Sequence, residues 1–438
     1  FLVIGSLVAV FGLPYEKVGA QWSGSQIKGQ ALVPRLAQPS WVNFFRRENS
    51  LSTLIIDNAS DAENYTRTES EFSNGQRQIS LTYTFDYDYA DFPSEIYLYF
   101  DSEFEIKRPF ASITWITPDG REFNLNGVSA ISGTNYDFEA NIPVRRLVNK
   151  NEHLKNWFVF GQIDPTPAHY VLFADLNADE EKLVKGQYTL RVNGITFEEN
   201  STLDAKLVLL GHVYGLAGTD TLRRDLLTPI LWGMPIALGF GLMGALATTL
   251  LSMIISAAGV WFGSWVDNLI QRMTEINLVL PTLAICVLAY AYLGVNLWVI
   301  LVVIIVLNVF GSPTKNFRSA FLNIKEAPYI EAAQSYGASS FRIIMKYMVP
   351  RIIPVMVPQL LILIPSYVFL EATLGLFNIS TGYPTWGTII YQALTQGGLY
   401  YAQYRLLEPL ALVIITGLAF SLFGFTLEQI LNPRLQNE

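Results

Sequence analysis

Two stretches of this 438-residue chain, residues 226–266 and 276–314, contain no charged side chain. A helix needs roughly 20 apolar residues to cross the hydrocarbon core of a bilayer, so each stretch is long enough to span one. The second is too long for a single helix and is interrupted at Gly294-Val295-Asn296, which predicts two spans joined by a tight turn. Together with later apolar runs, these stretches predict membrane helices at about 230–262, 272–293, 297–312, 350–371 and 407–430.

Charge divides the chain in the same way. Of its 29 Lys and Arg and 37 Asp and Glu residues, residues 218–438 hold 11 and 10, which leaves 18 and 27 for residues 1–217. The first part therefore carries a net charge of −9 and the second of +1. An acidic polar half does not favour nucleic acid or anionic lipid as a partner.

The side chains that usually bind metals or form disulfides are sparse. The chain has one cysteine, Cys286, so it cannot form an internal disulfide. Its three histidines (His153, His169 and His212) are scattered through the polar half without metal-ligand spacing. We therefore predict no metal site.

Residues 14–217 have the pattern of a mainly-β domain. Residues 15–75 predict loops with short elements, and β-branched and aromatic residues then predict strands at 78–87, 95–100, 111–117 and 185–192. Pro118-Asp119-Gly120 predicts a turn, and Asn126-Gly127 and Asn193-Gly194 predict hairpins. Short strands separated by turns favour a sandwich-like fold.

Basic residues near the spans predict the orientation. The 311–351 connection carries six Lys or Arg residues, whereas the 372–406 connection carries only Arg405. The first connection and the C-terminus are therefore predicted to be cytoplasmic, and residues 14–217 extracytoplasmic. An external domain requires a preceding span, so we interpret apolar residues 1–13 as the end of a first transmembrane helix, the alternative being the tail of a signal peptide.

A polar insert at residues 331–350 separates two apolar runs. Glu331, Ala332 and Ala333 favour a helix that stops at Gly337, and Ser339 or Ser340 can cap a second helix. In that second helix Phe341, Ile344, Met345 and Met348 would share one face, with Arg342 and Lys346 opposite. The pattern predicts a helix–glycine–helix projection from the membrane.

This insert resembles the EAA loop of ABC importer permeases. Further segments resemble the C-type subunit of the dipeptide/oligopeptide/nickel transport family, and the similarity extends over residues 218–434. They are Gly218–Leu227, Gly263–Asp267, Arg318 with Lys325 and Tyr329, Glu371 with Pro384–Gly387, and Leu427–Arg434.

The sequence departs from the family pattern at several positions. Arg223 replaces a glycine, and Asn378 and Ser380 lie in what is a glycine-containing corner in the family. Asn378 can adopt the same left-handed conformation as glycine. Family members also have a short loop where this chain has residues 14–217. Glu371 is expected either at the membrane interface or buried with a partner.

The resemblance implies a type I ABC importer transmembrane domain with six helices, the first of them partial. The five-helix permease core would occupy residues 218–438, with the EAA coupling loop at 313–350. The ATPase-coupling residues would be Glu331, Ala332, Ala333, Gly337, Tyr329 and Arg318. The chain would work in the cell membrane with a second homologous permease, two ATPase subunits and an extracytoplasmic solute-binding protein.

No phosphate-binding loop or catalytic motif is apparent in the sequence, so we predict no enzyme activity and no cofactor in this chain. ATP and Mg²⁺ would bind to the partner ATPases. The predicted function is import of peptides or a related small solute. Two alternatives are a membrane-anchored binding or receptor module and a non-import ABC system with a large ectodomain.

Overall fold

The computed structural model describes residues 2–13, 18, 30–58, 63–71, 76–131, 135–140, 142–150, 167–176, 178, 182–379 and 382–431. The chain divides into two compact units. One comprises residues 27–225, and the other combines residues 1–26 with 226–438.

The 27–225 unit is built from two antiparallel sheets. Its strands are β1 (Leu54–Ile56), β2 (Tyr65–Glu71), β3 (Arg77–Tyr87), β4 (Glu95–Glu103), β5 (Phe110–Ile116), β6 (Glu122–Ala130), β7 (Asn135–Asp137), β8 (Gly186–Thr196) and β9 (Thr202–Leu210). One sheet has the order β1-β9-β4-β7 and the other β2-β3-β8-β5-β6. The unit also contains a short helix, α2 (Ile142–Lys150), which the sequence did not predict.

Both sheets contribute to one hydrophobic core. Along β3, buried and partly exposed residues alternate from Ile79 to Phe85, as expected for a strand with one face in the core. Trp115 is fully buried and packs edge-on against Phe138 and Phe173. Since each buried aromatic side chain contributes about 1.5–3 kcal/mol, such contacts supply much of the stability of this unit.

One of the three predicted turns is present and two are not. Gly120 adopts φ +81° in the turn between β5 and β6, which confirms the Pro118-Asp119-Gly120 prediction. The Asn193-Gly194 hairpin is wrong, because both residues lie inside β8 between β3 and β5. A Cβ on Gly194 would overlap the side chain of Leu203, so close packing, and not a turn, requires glycine here.

The Asn126-Gly127 hairpin is also wrong. These residues lie inside β6, where Asn126 pairs with Ile113 on β5 and the register shifts on both sides of Ile113. The extra residue of a β-bulge therefore accounts for the Asn-Gly pair.

The second unit is helical. Its helices are α1 (Leu2–Gly12), α3 (Leu227–Phe262), α4 (Ser264–Val279), α5 (Thr282–Leu293), α6 (Leu297–Val309), α7 (Ser312–Lys325), α8 (Pro328–Ser335), α9 (Ser340–Ile343), α10 (Val349–Leu376), α11 (Trp386–Thr395), α12 (Gly398–Tyr401) and α13 (Tyr404–Leu431). Within the described residues, three helical segments (Leu227–Phe262, Ser340–Leu376 and Tyr404–Leu427) are long and apolar enough to cross a membrane. There are up to five such spans if the bent pairs α4–α5 and α6–α7 each count as one, and α1 is a shorter apolar helix.

The single helix predicted at 272–293 is wrong. It is divided between α4 and α5, which meet at an angle of 78°. Leu280 is extended, with ψ 130°, and Pro281 follows it. Proline lacks the N–H that would continue the helix and disfavours a helical conformation in the residue before it, so the chain bends here.

Glycines let α3 pack closely against its neighbours. A Cβ on Gly233 would overlap the ring of Trp386, and one on Gly241 would lie 2.6 Å from a methyl carbon of Val368. The indole N–H of Trp386 donates to the Ile230 carbonyl over 2.9 Å, which fixes α11 against α3. Small residues at such crossings allow helix backbones to approach in a membrane.

Candidate functional site

The predicted helix–glycine–helix projection is present as a hairpin of residues 328–348. Helix α8 ends in a Schellman motif, in which the Ala338 N–H donates to the Ala333 carbonyl over 3.1 Å and the Gly337 N–H to Gln334 over 2.9 Å. Gly337 adopts φ +75°, which confirms the predicted left-handed corner. The Ser339 hydroxyl then accepts from the Arg342 N–H, which makes Ser339 the cap of α9.

The second helix of the hairpin differs from the prediction. Only residues 340–343 are α-helical, and a π-helical turn follows at Ile344–Met348. Pro350 explains the wider turn, because its ring would clash with the Lys346 carbonyl in a regular α-helix. The predicted apolar face is therefore wrong: Phe341 and Met345 are exposed, and Ile343 is buried with Met348.

Buried side chains anchor the base of the hairpin. Ile330 and Ala333 of α8 are 1% and 8% exposed. They belong to one hydrophobic cluster with two further residues of the hairpin, Ile343 and Met348, and with residues of α3, α7 and α10, namely Met253, Ala257, Val260, Phe317, Phe321 and Ile352. The base of the hairpin is therefore packed against these three helices.

The tip of the hairpin is exposed. Glu331, Ala332 and Gly337 are exposed, and Tyr336 is 92% exposed. A Cβ added at Gly337 would meet no atom within 4 Å. These residues of the tip therefore lie at the surface of the described structure, whereas Ala333 is buried in the cluster.

Tyr329 and Arg318 lie apart from this tip. The guanidinium of Arg351, at the start of α10, lies 5.5 Å from the centre of the Tyr329 ring. Arg318 on α7 forms a two-point ion pair with Asp267 on α4, with N–O distances of 2.7 and 2.6 Å. Of the six predicted coupling residues, Tyr329, Glu331, Ala332 and Gly337 are exposed on the hairpin, Ala333 is buried in the cluster, and Arg318 lies outside the hairpin on α7.

Lys325 and Asp267 were not among the predicted site residues. The Lys325 ammonium donates to the Val260 carbonyl over 2.6 Å and to the Trp261 carbonyl over 3.4 Å, at the C-terminal end of α3. A cation there satisfies carbonyls without helical partners and complements the helix dipole. The signal available in the sequence was the family resemblance, which includes both Lys325 and the segment Gly263–Asp267.

Glu371 is fully buried in α10, which decides between the two locations expected for it. Both carboxylate oxygens of Glu371 lack a hydrogen-bond partner among the described residues, so Glu371 is buried without the partner that was expected. Immediately after Glu371, α10 crosses the start of α11, where Gly375 and Gly387 meet backbone to backbone. Glu371 therefore lies at a tight helix crossing, separate from the 328–348 hairpin.

Apolar helices long enough to cross a membrane, two of them bent, and an anchored hairpin between them define the helical unit as that of a multi-pass membrane protein. Residues 250–437 match the family described as "Binding-protein-dependent transport system inner membrane component". A peptide transport system permease protein of Brucella abortus biovar 1 (strain 9-941) is 32% identical over 229 residues, which cover 51% of this chain and 75% of that protein.

Other relatives are also permease proteins of peptide transport systems. The dipeptide transport system permease protein DppC of Bacillus subtilis (strain 168) is 29% identical over 50% of this chain and 68% of its own length. The oligopeptide transport system permease protein OppC of Escherichia coli (strain K12) is 27% identical, over 51% and 73%. This chain belongs to the peptide-transport permeases of ABC importers, within the family of binding-protein-dependent inner membrane components.

Among solved structures, an inward-facing form of the MetNI methionine ABC transporter is similar to 47% of this chain and 98% of its own chain. The sequence identity is 20% and the TM-score 0.34, so this likeness supports no further conclusion. Members of the family are translocation components that work beside other subunits such as an ATPase and a binding protein. The family match at 250–437 does not include the β-rich unit.

Proposed function

We propose that this chain is the transmembrane permease subunit of an ATP-driven importer for peptides or a related small solute delivered by a solute-binding protein. Its relatives include dipeptide, oligopeptide and other peptide transport permeases, which supports this substrate class. The functional complex would contain a second homologous permease and two ATPase subunits, and the ATPase subunits would bind ATP and Mg²⁺.

The observation that carries the proposal is the exposed tip of an anchored hairpin. Glu331, Ala332 and Gly337 would contact the ATPase, while Ala333 holds the tip on the cluster beneath. Tyr329 would connect the hairpin to Arg351 at the start of α10. Arg318 would connect α7, against which the hairpin packs, to Asp267 on α4. Closure of the ATPase pair would displace the tip, and the packed helices would then alternate between inward and outward access.

The orientation follows from basic residues. Lys315, Lys325, Lys346 and Arg351 lie with Arg318 and Arg342 in the segment that contains the hairpin, which favours the cytoplasmic side. With that assignment the C-terminus is cytoplasmic and residues 14–217 are extracytoplasmic. The acidic β-rich unit would then either help the binding protein dock or cover the external mouth.

Substitution of Gly337 tests the coupling role. Valine at φ +75° is strained, whereas asparagine, which has a similar volume, tolerates this left-handed conformation. No atom lies within 4 Å of an added Cβ, so neither side chain is expected to clash with its surroundings. The valine and asparagine variants therefore differ mainly in backbone strain. We expect Gly337→Val to abolish solute-stimulated ATP hydrolysis by the assembled transporter, and Gly337→Asn to retain most of it.

Solute binding to the isolated binding protein and assembly of the subunits serve as controls, and both should be unchanged in either variant. Normal coupling in an assembled Gly337→Val transporter would refute the assignment of the hairpin.

A further inference from the structure

Helices α3 and α4 meet at an elbow formed by two consecutive left-handed residues, Gly263 at φ +61° and Ser264 at φ +41°. Serine rarely adopts this conformation, so the surrounding contacts must maintain it. The Gly263 N–H donates to the Gly259 carbonyl over 2.9 Å, which completes α3, and α4 starts immediately afterwards.

One helix contacts both sides of this elbow. Lys325 of α7 binds the last carbonyls of α3, before the elbow, and Arg318 of α7 binds Asp267 on α4, after it. These two basic residues are seven positions apart, which is two turns or about 10 Å along one face of α7. We call these two interactions the elbow contacts.

Two bends limit the region that the elbow contacts join. Helices α4 and α5 meet at 78° beside Pro281, and α6 and α7 meet at 40° beside Gly311. At the second bend the Val309 carbonyl, which has lost its helical partner, accepts from the Ser252 hydroxyl over 3.1 Å. The Thr314 hydroxyl also donates to the Val309 carbonyl, and the Ser256 hydroxyl donates to the Thr314 carbonyl over 2.9 Å. Hydroxyl groups of α3 therefore hold both sides of the Gly311 bend.

We propose that the elbow contacts make the end of α3, α4, α7 and the 328–348 hairpin one rigid body, which turns relative to α5 at the Pro281 bend during transport. Arg318, Lys325 and Asp267 are positioning residues in this account, because they act through the helices they join. The proposal rests on the proposed function, since it explains how movement of the hairpin tip reaches the membrane spans.

Directional contacts are needed in addition to the hydrophobic cluster. Apolar packing is roughly proportional to buried area and allows small sliding movements between helices. A two-point Arg–carboxylate pair fixes both distance and orientation. Arg318 and Asp267 are only 31% and 17% exposed, so solvent screens this pair less than a surface pair.

Neutralisation of Arg318 tests the proposal in the assembled transporter. We expect Arg318→Gln to lower the solute transported per ATP hydrolysed about threefold or more, while ATP hydrolysis continues. Arg318→Lys should give an intermediate loss, because lysine cannot form the two-point contact. The exchange Asp267→Arg/Arg318→Asp should recover part of the coupling.

A matched control lies on α4, the helix that carries Asp267. Arg272 and Glu275 of α4 form an exposed ion pair at 3.2 Å, with side chains 81% and 53% exposed. Arg272→Gln should leave the solute-to-ATP ratio unchanged. An equal loss in Arg272→Gln and Arg318→Gln would overturn the proposal, since any charge change on these helices would then suffice.

Distance measurements in the assembled transporter test the rigid body directly. They keep Arg318 and Asp267, so they remain possible even if Arg318→Gln fails to assemble. In a Cys286→Ala background, spin labels at Glu275 and Asn323 report on α4 and α7, and labels at Glu275 and Tyr292 span the Pro281 bend. Between nucleotide-free and ATP-trapped states we expect the first distance to stay constant and the second to change. A first distance that changes as much as the second would overturn the proposal.

Different variants test the proposed function of the hairpin and the role of the elbow contacts. Normal coupling in Gly337→Val would contradict the proposed function of the hairpin. Loss of coupling in Gly337→Val with normal coupling in Arg318→Gln would contradict only the elbow contacts.

Discussion

Arg223 adopts a backbone conformation that usually selects glycine, with φ +62°. The resemblance to peptide permeases places a glycine at this position. In this chain the arginine side chain makes contacts that offset the strain: it donates to the Val33 carbonyl over 2.8 Å, forms an ion pair with Glu95 and lies 5.9 Å from the centre of the Tyr97 ring. The departure from the family pattern is thus explained by contacts within the β-rich unit.

A pair of substitutions separates strain from contacts at Arg223. Arg223→Ala and Arg223→Gly lose the same side-chain interactions, but only alanine keeps the cost of a left-handed residue, about 1–2 kcal/mol. We therefore expect both variants to be less stable than the parent chain, with Arg223→Gly more stable than Arg223→Ala. Thermal unfolding of the β-rich unit in the full chain measures the relative stabilities of the two variants. An Arg223→Ala variant as stable as Arg223→Gly would contradict the predicted strain at this position.

At the scale of elements, the sequence predicted the features that a local pattern determines. Uncharged runs predicted the long helices, and Gly337, Ser339 and Asn378 (φ +58°) adopt their predicted roles because the conformation of each depends on its immediate neighbours. The Asn-Gly pairs failed because tertiary packing decided their role. Gly194 on β8 is required by Leu203 on β9, and these strands belong to different sheets, whose packing the sequence alone does not define.

The candidate site shows the same limit. Periodicity predicted one apolar face after Ser339, but Pro350 acts on the preceding turn and moves Phe341 and Met345 to the surface. The ion pair of Arg318 with Asp267 joins residues 51 positions apart. No local pattern could identify this pair of partners.

The crossing of α10 and α11 yields a prediction at the same scale. A Cβ on Gly375 would lie 2.6 Å from the Gly387 Cα and 2.8 Å from the Thr388 nitrogen, so backbone atoms would have to move. We expect Gly375→Ala to lower the stability of the purified protein by about 1–3 kcal/mol, as overpacking does. Gly417→Ala in α13 is the matched control, because a Cβ there meets no atom within 4 Å.

Removing a glycine from a helix interior is otherwise favourable by about 1 kcal/mol, so Gly417→Ala should be neutral or stabilising. Thermal unfolding in detergent compares the two variants. Equal stability of Gly375→Ala and Gly417→Ala would show that the crossing is looser than the structure indicates.

For the whole molecule, the proposed topology places residues 14–217 outside the cell and the 328–348 hairpin in the cytoplasm. In a Cys286→Ala background, a cysteine at exposed Glu122 of β6 should react with a membrane-impermeant maleimide in intact cells. A cysteine at exposed Gln334 of α8 should react only after the cells are permeabilised. Reaction of both cysteines in intact cells would contradict the assignment of the hairpin to the cytoplasm.

The central claim is that the 328–348 hairpin contacts an ATPase subunit, and cross-linking tests it most directly. Tyr336 is 92% exposed at the tip, so Tyr336→Cys in the Cys286→Ala background places a reactive thiol at the proposed contact without disturbing the core. With a short bifunctional reagent, we predict a cross-link to the ATPase subunit in assembled transporters whose yield changes when ATP is trapped. A yield no greater than that of the Glu122→Cys control, in both nucleotide states, would contradict the account.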